Sequence, residues 1–574
     1  MNSISKIQKI LNKKYPGIKA NAKDDIVFLE GELKDYNSIV SCGKDVASTK
    51  LFTHVVNNIT LKGYVRPKTK RSSINDKTLD KTEVDVLVIG GGVVGSAILR
   101  ELSKYNLSCL LIDKEEDLAM HASSRNDGCI HVGIDLKKNS LKLHYLQRAR
   151  TILPSLCSQL DIDYREDGQT IGFKSLLMKP IAAIYMNIKA KENKIKGIQV
   201  LNRKKLLSVE PNLADDIKFG VFMPSAACIC PYNFTIALAE SAVINGAKVC
   251  LNTIVEDMEV KNHEIISVKT NRGTIRPKVV VNAAGVFSDQ IADMAEDKFF
   301  SIHPRKGTDT IMDKSMTPYL SKTGITIYAT PQERKISHSK GGGIIPTIDR
   351  NILVGPDAVE QIEREDFSTD ISSINTIFKK HHQTIDELNK RDIITYFSGI
   401  RAATYEEDFI VQKGKWTKNI VHAAGIQSPG LTAASAIAED IAKYAVEELG
   451  NVTRKDSFNP YRKGVVASRN LPLKKRDELI KKDPSYGHIV CRCEEISEGE
   501  IRACIHSLIP PTTVDGIKRR VRAGMGRCQG GFCQMLVTKI LAEEENKDML
   551  DICKKGEGKI LFINTKEGEN TNEK

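Results

Sequence analysis

The 574-residue chain lacks any apolar run approaching the roughly 20 residues that a helix needs to cross a bilayer. Its opening stretch, MNSISKIQKILNKKYPG, also lacks the continuous apolar core of a signal peptide. Together these absences argue against membrane spanning and against export, so a cytoplasmic location is expected. Aromatic residues are few, at 6%, but hydrophobic residues reach 41%, enough for several globular domains with a large core. Acidic residues are in deficit, 72 against 85 lysines and arginines, which leaves a net charge of +13. The basic residues are spread out and no nucleic-acid motif accompanies them, so nucleic acid is not an expected partner. Anionic lipid or small anionic substrates suit the excess instead. Thirteen cysteines in a chain expected to stay in a reducing compartment point to metal or redox chemistry rather than disulfides.

What is present centres on residues 84–116, VDVLVIGGGVVGSAILRELSKYNLSCLLIDKEE. An apolar run over 84–89 reads as a buried parallel strand. Gly90, Gly92 and Gly95 follow at dinucleotide-binding spacing: a tight turn, a close approach to pyrophosphate, and close helix–strand packing. The expected helix over 93–105 would aim its free N–H groups at phosphate. A second strand over 108–112 ends in Asp113, placed to hydrogen-bond a ribose hydroxyl. Fingerprint and acid suit FAD and NAD equally.

Residues 3–62 read as a separate α-β-β-α-β module, with an amphipathic helix over 4–11, strands over 18–22 and 25–33, a helix over 38–48 and a last strand over 55–61. Its stretches IVFLEGELKDYNSI and HVVNNITL resemble the BON domain, which implies contact with a phospholipid surface; docking onto protein alone is the other reading. Residues 63–83 are polar and basic and read as a linker that would let the module move.

The segment HASSRNDGCIHVGI at 121–134 resembles the FAD-dependent oxidoreductases of the D-amino-acid-oxidase superfamily. The resemblance is to the branch of anaerobic-type glycerol-3-phosphate dehydrogenases and L-2-hydroxyglutarate oxidases. It implies an α/β fold over 84–450, a Rossmann-type FAD-binding domain joined to an antiparallel-sheet substrate domain. It further implies that Ser123, Ser124 and Arg125 wrap the cofactor, that His131 lies near the flavin ring, and that Val255 contacts adenine through its backbone. Asp127 and Cys129 depart from the small or apolar residues usual there. VVVNAAGVFSDQIADMA brings Gly285 close to the cofactor, and AAGIQSPGLTAASAIAEDIA supplies Gly425, Ser428, Gly430, Leu431 and Thr432 at a turn before a helix. In FSGIRAATYEEDFIV, Arg401 stands where the superfamily anchors the anionic end of its substrate; Arg305 is the next candidate, and an ion pair of Arg401 with Glu406, Glu407 or Asp408 is the competing reading. The Cys228–Cys230 pair has no second pair nearby and reads as packing.

Residues 451–485 form a basic connector. Beyond it, Cys491 and Cys493 make a C-x-C pair, a Ser497–Glu500 capping box opens a helix, and Cys528 and Cys533 make a C-x4-C pair. Four paired thiolates suit an iron–sulfur cluster or zinc. Residues 486–545 closely resemble the BFD-like [2Fe-2S] domain, which implies that these four cysteines hold a cluster. Residues 546–574, rich in lysine and glutamate, read as a flexible tail.

The resemblance implies a dehydrogenase in which Arg401 holds the anionic group, His131 takes the hydroxyl proton, a hydride goes to the flavin, and electrons leave through the cluster to an acceptor protein or a quinone-reducing subunit. Glycerol 3-phosphate leads as substrate, with L-2-hydroxyglutarate or another 2-hydroxy or amino acid next. A non-catalytic redox or membrane-docking protein is the third reading.

Overall fold

The computed structural model describes residues 3–67, 69–328 and 342–561. The glycine-rich stretch is the centre of an eight-stranded sheet. Strand Thr82–Ile89 leads into helix Val93–Leu102 and then strand Cys109–Ile112. Strands Lys248–Cys250, Cys109–Ile112, Thr82–Ile89, Gly273–Asn282 and Ile420–Ala424 run parallel in that spatial order. Val86, Leu87 and Val88 are fully buried because both faces are covered. One face carries the helices Val93–Leu102, Pro231–Ile244 and Gly430–Leu449; the other packs against the hairpin strands Val255–Lys261 and Glu264–Thr270.

A second, nine-stranded sheet forms the substrate side. Its longest pair, Ile302–Met312 with Ile393–Thr404, lies at one end of the sheet and is antiparallel, as the resemblance implies. One pairing departs from that expectation: strand Gln169–Phe173 runs parallel to Gly324–Ile327. The chain between them passes through the cofactor-binding sheet, a crossover long enough to permit a parallel pair.

The N-terminal module has the expected element order, with a three-stranded sheet of Lys19–Lys23, Ile26–Glu30 and His54–Asn57. It is not a mobile appendage. Tyr405 of the substrate sheet sits in its core with Ile39 and Val46. Gly43 is required there, since a Cβ would lie 2.3 Å from the Tyr405 ring. Lys44 Nζ meets Glu360 at 2.8 Å, Glu406 accepts from the Val55 N–H at 2.8 Å, and Lys23 stacks 3.9 Å from the Trp416 ring. The linker expected over 63–83 is likewise pinned, because its polar side chains find partners: Tyr64 donates to Glu363 at 2.6 Å and Asp76 pairs with Arg272 at 2.9 Å.

The C-terminal module packs helices Glu498–Ile505, Val514–Val521 and Gln534–Glu545 around its own small core. It docks through buried Asp117, whose carboxylate is held by Arg519 at 2.7 Å and Arg520 at 2.8 Å. The tail expected to be flexible from residue 546 instead forms a hairpin, Cys553–Lys555 with Gly558–Lys559. This hairpin is fixed because Glu116 accepts from the Gly556 N–H at 2.9 Å and Glu557 accepts from the Ser73 N–H at 2.8 Å. The remainder of that tail lies outside the described residues.

Candidate active site

A cavity of about 1160 Å³ runs between the two sheets. Gly90, Gly92, Asp113 and Val255 line one stretch of it, and His131, Arg305, Arg401, Ser428 and Gly430 another. Ser123, Arg125, Gly285 and Leu431 also face it. Its size exceeds the roughly 300–1,000 Å³ usual for a drug-sized ligand, leaving room for a large cofactor and a small substrate together. Gly95, Ser124, Gly425 and Thr432 do not line it. Gly95 serves packing, since a Cβ there would lie 1.9 Å from the Gly90 carbonyl oxygen. Thr432 Oγ1 accepts from the His131 backbone N–H at 3.1 Å, Ser124 Oγ donates to the His121 carbonyl at 3.4 Å, and Gly425 turns the chain at φ +64°.

The glycine turn is built for close approach. Gly90 has φ +115° and a Cβ would lie 2.4 Å from the Ala283 carbonyl oxygen, so only glycine fits. Gly92 is different: its nearest obstacle is Ser123 Oγ at 3.1 Å, so its missing side chain leaves room on the cavity side. Asp113 accepts from the Gly91 N–H at 2.5 Å and the Glu115 N–H at 2.9 Å, while burial pushes its carboxyl up. Two helix N-termini, at Val93 and Gly430, reach the lining with their positive dipole ends. Glycine cradle, helix N–H groups and carboxylate together fit an elongated dinucleotide with pyrophosphate and ribose.

Arg305 and Arg401 separate sharply. Arg305 is clamped by Glu360 at 2.9 Å and by Glu407, with Gln427 alongside. Glu360 is itself shared with His303 and Lys44; although burial pushes its carboxyl up, His303, Arg305 and Lys44 together hold it well below the usual range. Arg401 has no carboxylate within salt-bridge distance among the described residues. The alternative ion pair with Glu406, Glu407 or Asp408 is therefore not formed; Arg305 takes Glu407 instead. Arg401 gives one hydrogen bond, Nη2 to the Asp357 carbonyl at 3.0 Å. Its guanidinium lies over Gly307, where a Cβ would come within 2.3 Å of Nη2.

His131 lines the cavity with Nε2 3.5 Å from Ser428 Oγ. Asp309, which no local pattern marks, also lines it, is 2% exposed and has Oδ1 without a hydrogen-bond partner among the described residues. Burial, reinforced by Asp127, pushes its carboxyl well above the ordinary range, and Arg401 pulls the other way. Only its place on the strand paired with that of Arg401, four residues along from Arg305, makes it notable, and alternation within TDTIM does not reveal that.

The four cysteines form two close pairs. Cys493 and Cys528 have their sulfurs 3.7 Å apart, and Cys491 is hydrogen-bonded to Cys533. No three of these sulfurs lie within 4.8 Å of one another. A single tetrahedral zinc, with bonds of about 2.3 Å, needs all four sulfurs within about 3.8 Å of each other, so two pairs fit a two-iron centre better. The Cys491 thiol is pulled down to about 6 by the bond with Cys533, against burial, with the N–H groups of Gly524 and Glu494 assisting. N–H groups of Phe532 and Gly530 likewise lower Cys528. Ser497 and Glu500 form the expected capping box behind Cys493. Cys228 and Cys230 are buried, and burial pushes each thiol up to about 12, as packing residues.

Comparison with known proteins agrees with this geometry. Residues 85–444 match the FAD dependent oxidoreductase family, and residues 489–543 match the BFD-like [2Fe-2S] binding domain. The chain is 37% identical to a glycerol 3-phosphate dehydrogenase of Caloramator mitchellensis over 492 residues, covering 84% of this chain and 99% of that one. It is 30% identical to a glycerol 3-phosphate oxidase of Mycoplasma genitalium, covering 66% of this chain and 97% of the relative. Among solved structures, the FAD-bound, dithionite-reduced L-alpha-glycerophosphate oxidase of Mycoplasma pneumoniae superposes with a TM-score of 0.61 at 26% identity, over 66% of this chain and 98% of that one. The chain belongs to the FAD-dependent oxidoreductase family and carries a BFD-like [2Fe-2S] binding domain over residues 489–543.

Proposed function

We propose that the chain is a dehydrogenase that oxidises sn-glycerol 3-phosphate to dihydroxyacetone phosphate. The observation that carries this reading is the Arg401 guanidinium, which lines the cavity without a carboxylate partner among the described residues. Its planar fork of donors suits a phosphate. The activities named for the relatives support the same substrate.

In this reading Arg401 holds the phosphate and fixes the carbinol carbon in the cavity. His131, held through its backbone by Thr432, receives the hydroxyl proton. Asp309 makes no ion pair with Arg401 among the described residues, and burial favours the uncharged form of its carboxyl, which leaves the guanidinium to the phosphate. When bound, FAD supplies the acceptor for the hydride, and the [2Fe-2S] centre supplies one-electron transfer onward. Cys491, Cys493, Cys528 and Cys533 hold that centre. A route for electrons off the flavin favours a dehydrogenase over an oxidase, with an acceptor protein or a quinone-reducing subunit as partner. The α-β-β-α-β order of the N-terminal module supports a BON-like assignment, and its docking on the substrate sheet supports a protein-binding role for it.

Steady-state reduction of an artificial acceptor tests the substrate. Glycerol 3-phosphate should support turnover well above that with L-2-hydroxyglutarate, and the reverse order would transfer the assignment to the hydroxy acid.

A further inference from the structure

Helix Lys179–Glu192 on the substrate side is apolar on both of its faces. Ala182, Met186 and Ala190, at four-residue spacing, are buried against Phe173, Phe219 and Val221. The outer face of a surface helix is ordinarily polar. Here it carries Ile181, Ile184, Tyr185 and Ile188, each more than half exposed, and the turn before it presents Leu176 at 60% and Leu177 at 86% exposure. Six large apolar side chains thus stand in solvent within thirteen positions. Isolated exposed apolar residues are normal, but a contiguous set on one face marks a docking surface.

The charge around this face identifies what covers it. Lys174, Lys179, Lys189, Lys191, Lys194 and Lys196 surround it, and Glu192 is the one acid in the span. Glu192 is used by Lys189 at 3.1 Å, and Lys174 pairs with Asp216 at 2.7 Å. Lys179, Lys191, Lys194 and Lys196 have no carboxylate partner among the described residues. An apolar strip bordered by lysines is the pattern of a helix lying in a membrane interface, where aliphatic side chains enter the acyl boundary and ammonium groups meet anionic headgroups. A second copy of the chain suits it less well, because a two-fold contact would bring the lysines of both copies together.

We propose that this helix docks the enzyme on an anionic lipid surface. The proposal goes beyond the catalytic reading and does not depend on it. It also assigns membrane contact to the substrate domain rather than to the N-terminal module. Tyr185 and Met186 line the flavin cavity from the same helix, so docking would set the rim of the cavity at the membrane surface.

Full-length holoenzyme sedimented with vesicles tests this. Vesicles of phosphatidylcholine with phosphatidylglycerol should carry the protein down, vesicles of phosphatidylcholine alone should not, and added salt should weaken the binding. The double variant Leu177→Ser, Ile184→Ser should lower partitioning by at least about tenfold. Neither residue lines the cavity, so flavin reduction by substrate in solution should be unchanged, which shows the variant folded. Absence of binding to the anionic vesicles, equal binding to neutral ones, or undiminished binding of the variant would overturn the proposal. So would a wild-type dimer that the double substitution converts to monomers, since that would assign the face to a second copy.

Discussion

Arg305 and Arg401 are register partners on adjacent antiparallel strands, yet Arg305 is clamped by Glu360 and Glu407 while Arg401 faces the cavity and donates to the Asp357 carbonyl. The two should therefore respond differently to replacement. Arg401→Ala removes a charge-assisted contact worth about 1.5–3 kcal/mol, raising KM for glycerol 3-phosphate by tens of fold. Arg305→Ala takes the cation from half-exposed Glu407 and leaves Glu360 to Lys44 and His303, and should cost about 1.5–3 kcal/mol of stability. Steady-state kinetics and thermal unfolding of both variants separate the roles; a KM unchanged in Arg401→Ala would move the anion site.

Gly307 tests the same site without touching the charge. A Cβ there would lie 2.3 Å from Arg401 Nη2, so Gly307→Ala must displace the guanidinium. KM should rise while FAD content stays full. Wild-type kinetics in this variant would show that the guanidinium position is immaterial.

Gly90 and Gly92 should separate folding from cofactor binding. Gly90→Ala forces a side chain against Ala283 in a left-handed backbone conformation and should lower expression or stability. Gly92 has φ −76° and a neighbour that yields, so Gly92→Val should fold yet purify without flavin colour. Full yellow colour in Gly92→Val would contradict the assignment of this turn.

The cofactor half of the molecule was legible because its signals are local. Gly90, Gly92, Gly95 and Asp113 lie on one strand–turn–helix–strand unit, where spacing alone fixes geometry. The paired cysteines are readable for the same reason. The contrast between Arg305 and Arg401 was not legible: Glu360 and Glu407 reach Arg305 from other strands and loops, and nothing near position 305 in sequence announces them. Asp309 is not legible in the sequence because its significance is burial beside Arg401, a long-range property. The anchoring of the N-terminal module is likewise a long-range property. A polar linker predicts freedom, but Tyr405 and Glu360, more than 300 residues away, hold the module down.

Docking of the iron–sulfur module should depend on pH through Asp117. Burial pushes its carboxyl up, but Arg520 and Arg519 outweigh burial and leave it below its usual value. A depressed acid stabilises above its unfolded value, about 3.9, and loses that contribution as pH falls through the folded value. Asp117→Asn should lower stability by about 3–5 kcal/mol near neutral pH. The gap between wild type and variant should stay level down to about pH 5 and close in stronger acid. Thermal unfolding across pH reads this directly, and a gap that widened in acid would contradict it.

Cys528→Ser should spare flavin reduction by substrate and slow transfer to the physiological acceptor. Iron analysis and low-temperature EPR of dithionite-reduced wild type should show a [2Fe-2S] signal that the variant loses. One zinc per chain, with neither iron nor signal, would make the module structural.

The central claim, that this chain removes a hydride from glycerol 3-phosphate and passes the electrons to its own cluster, is tested most directly by anaerobic titration of the purified protein while recording the visible spectrum. Glycerol 3-phosphate should bleach the flavin band, and absorbance and EPR changes of the reduced cluster should accompany it. An unbleached flavin at saturating glycerol 3-phosphate, in protein that dithionite reduces fully, would contradict the account.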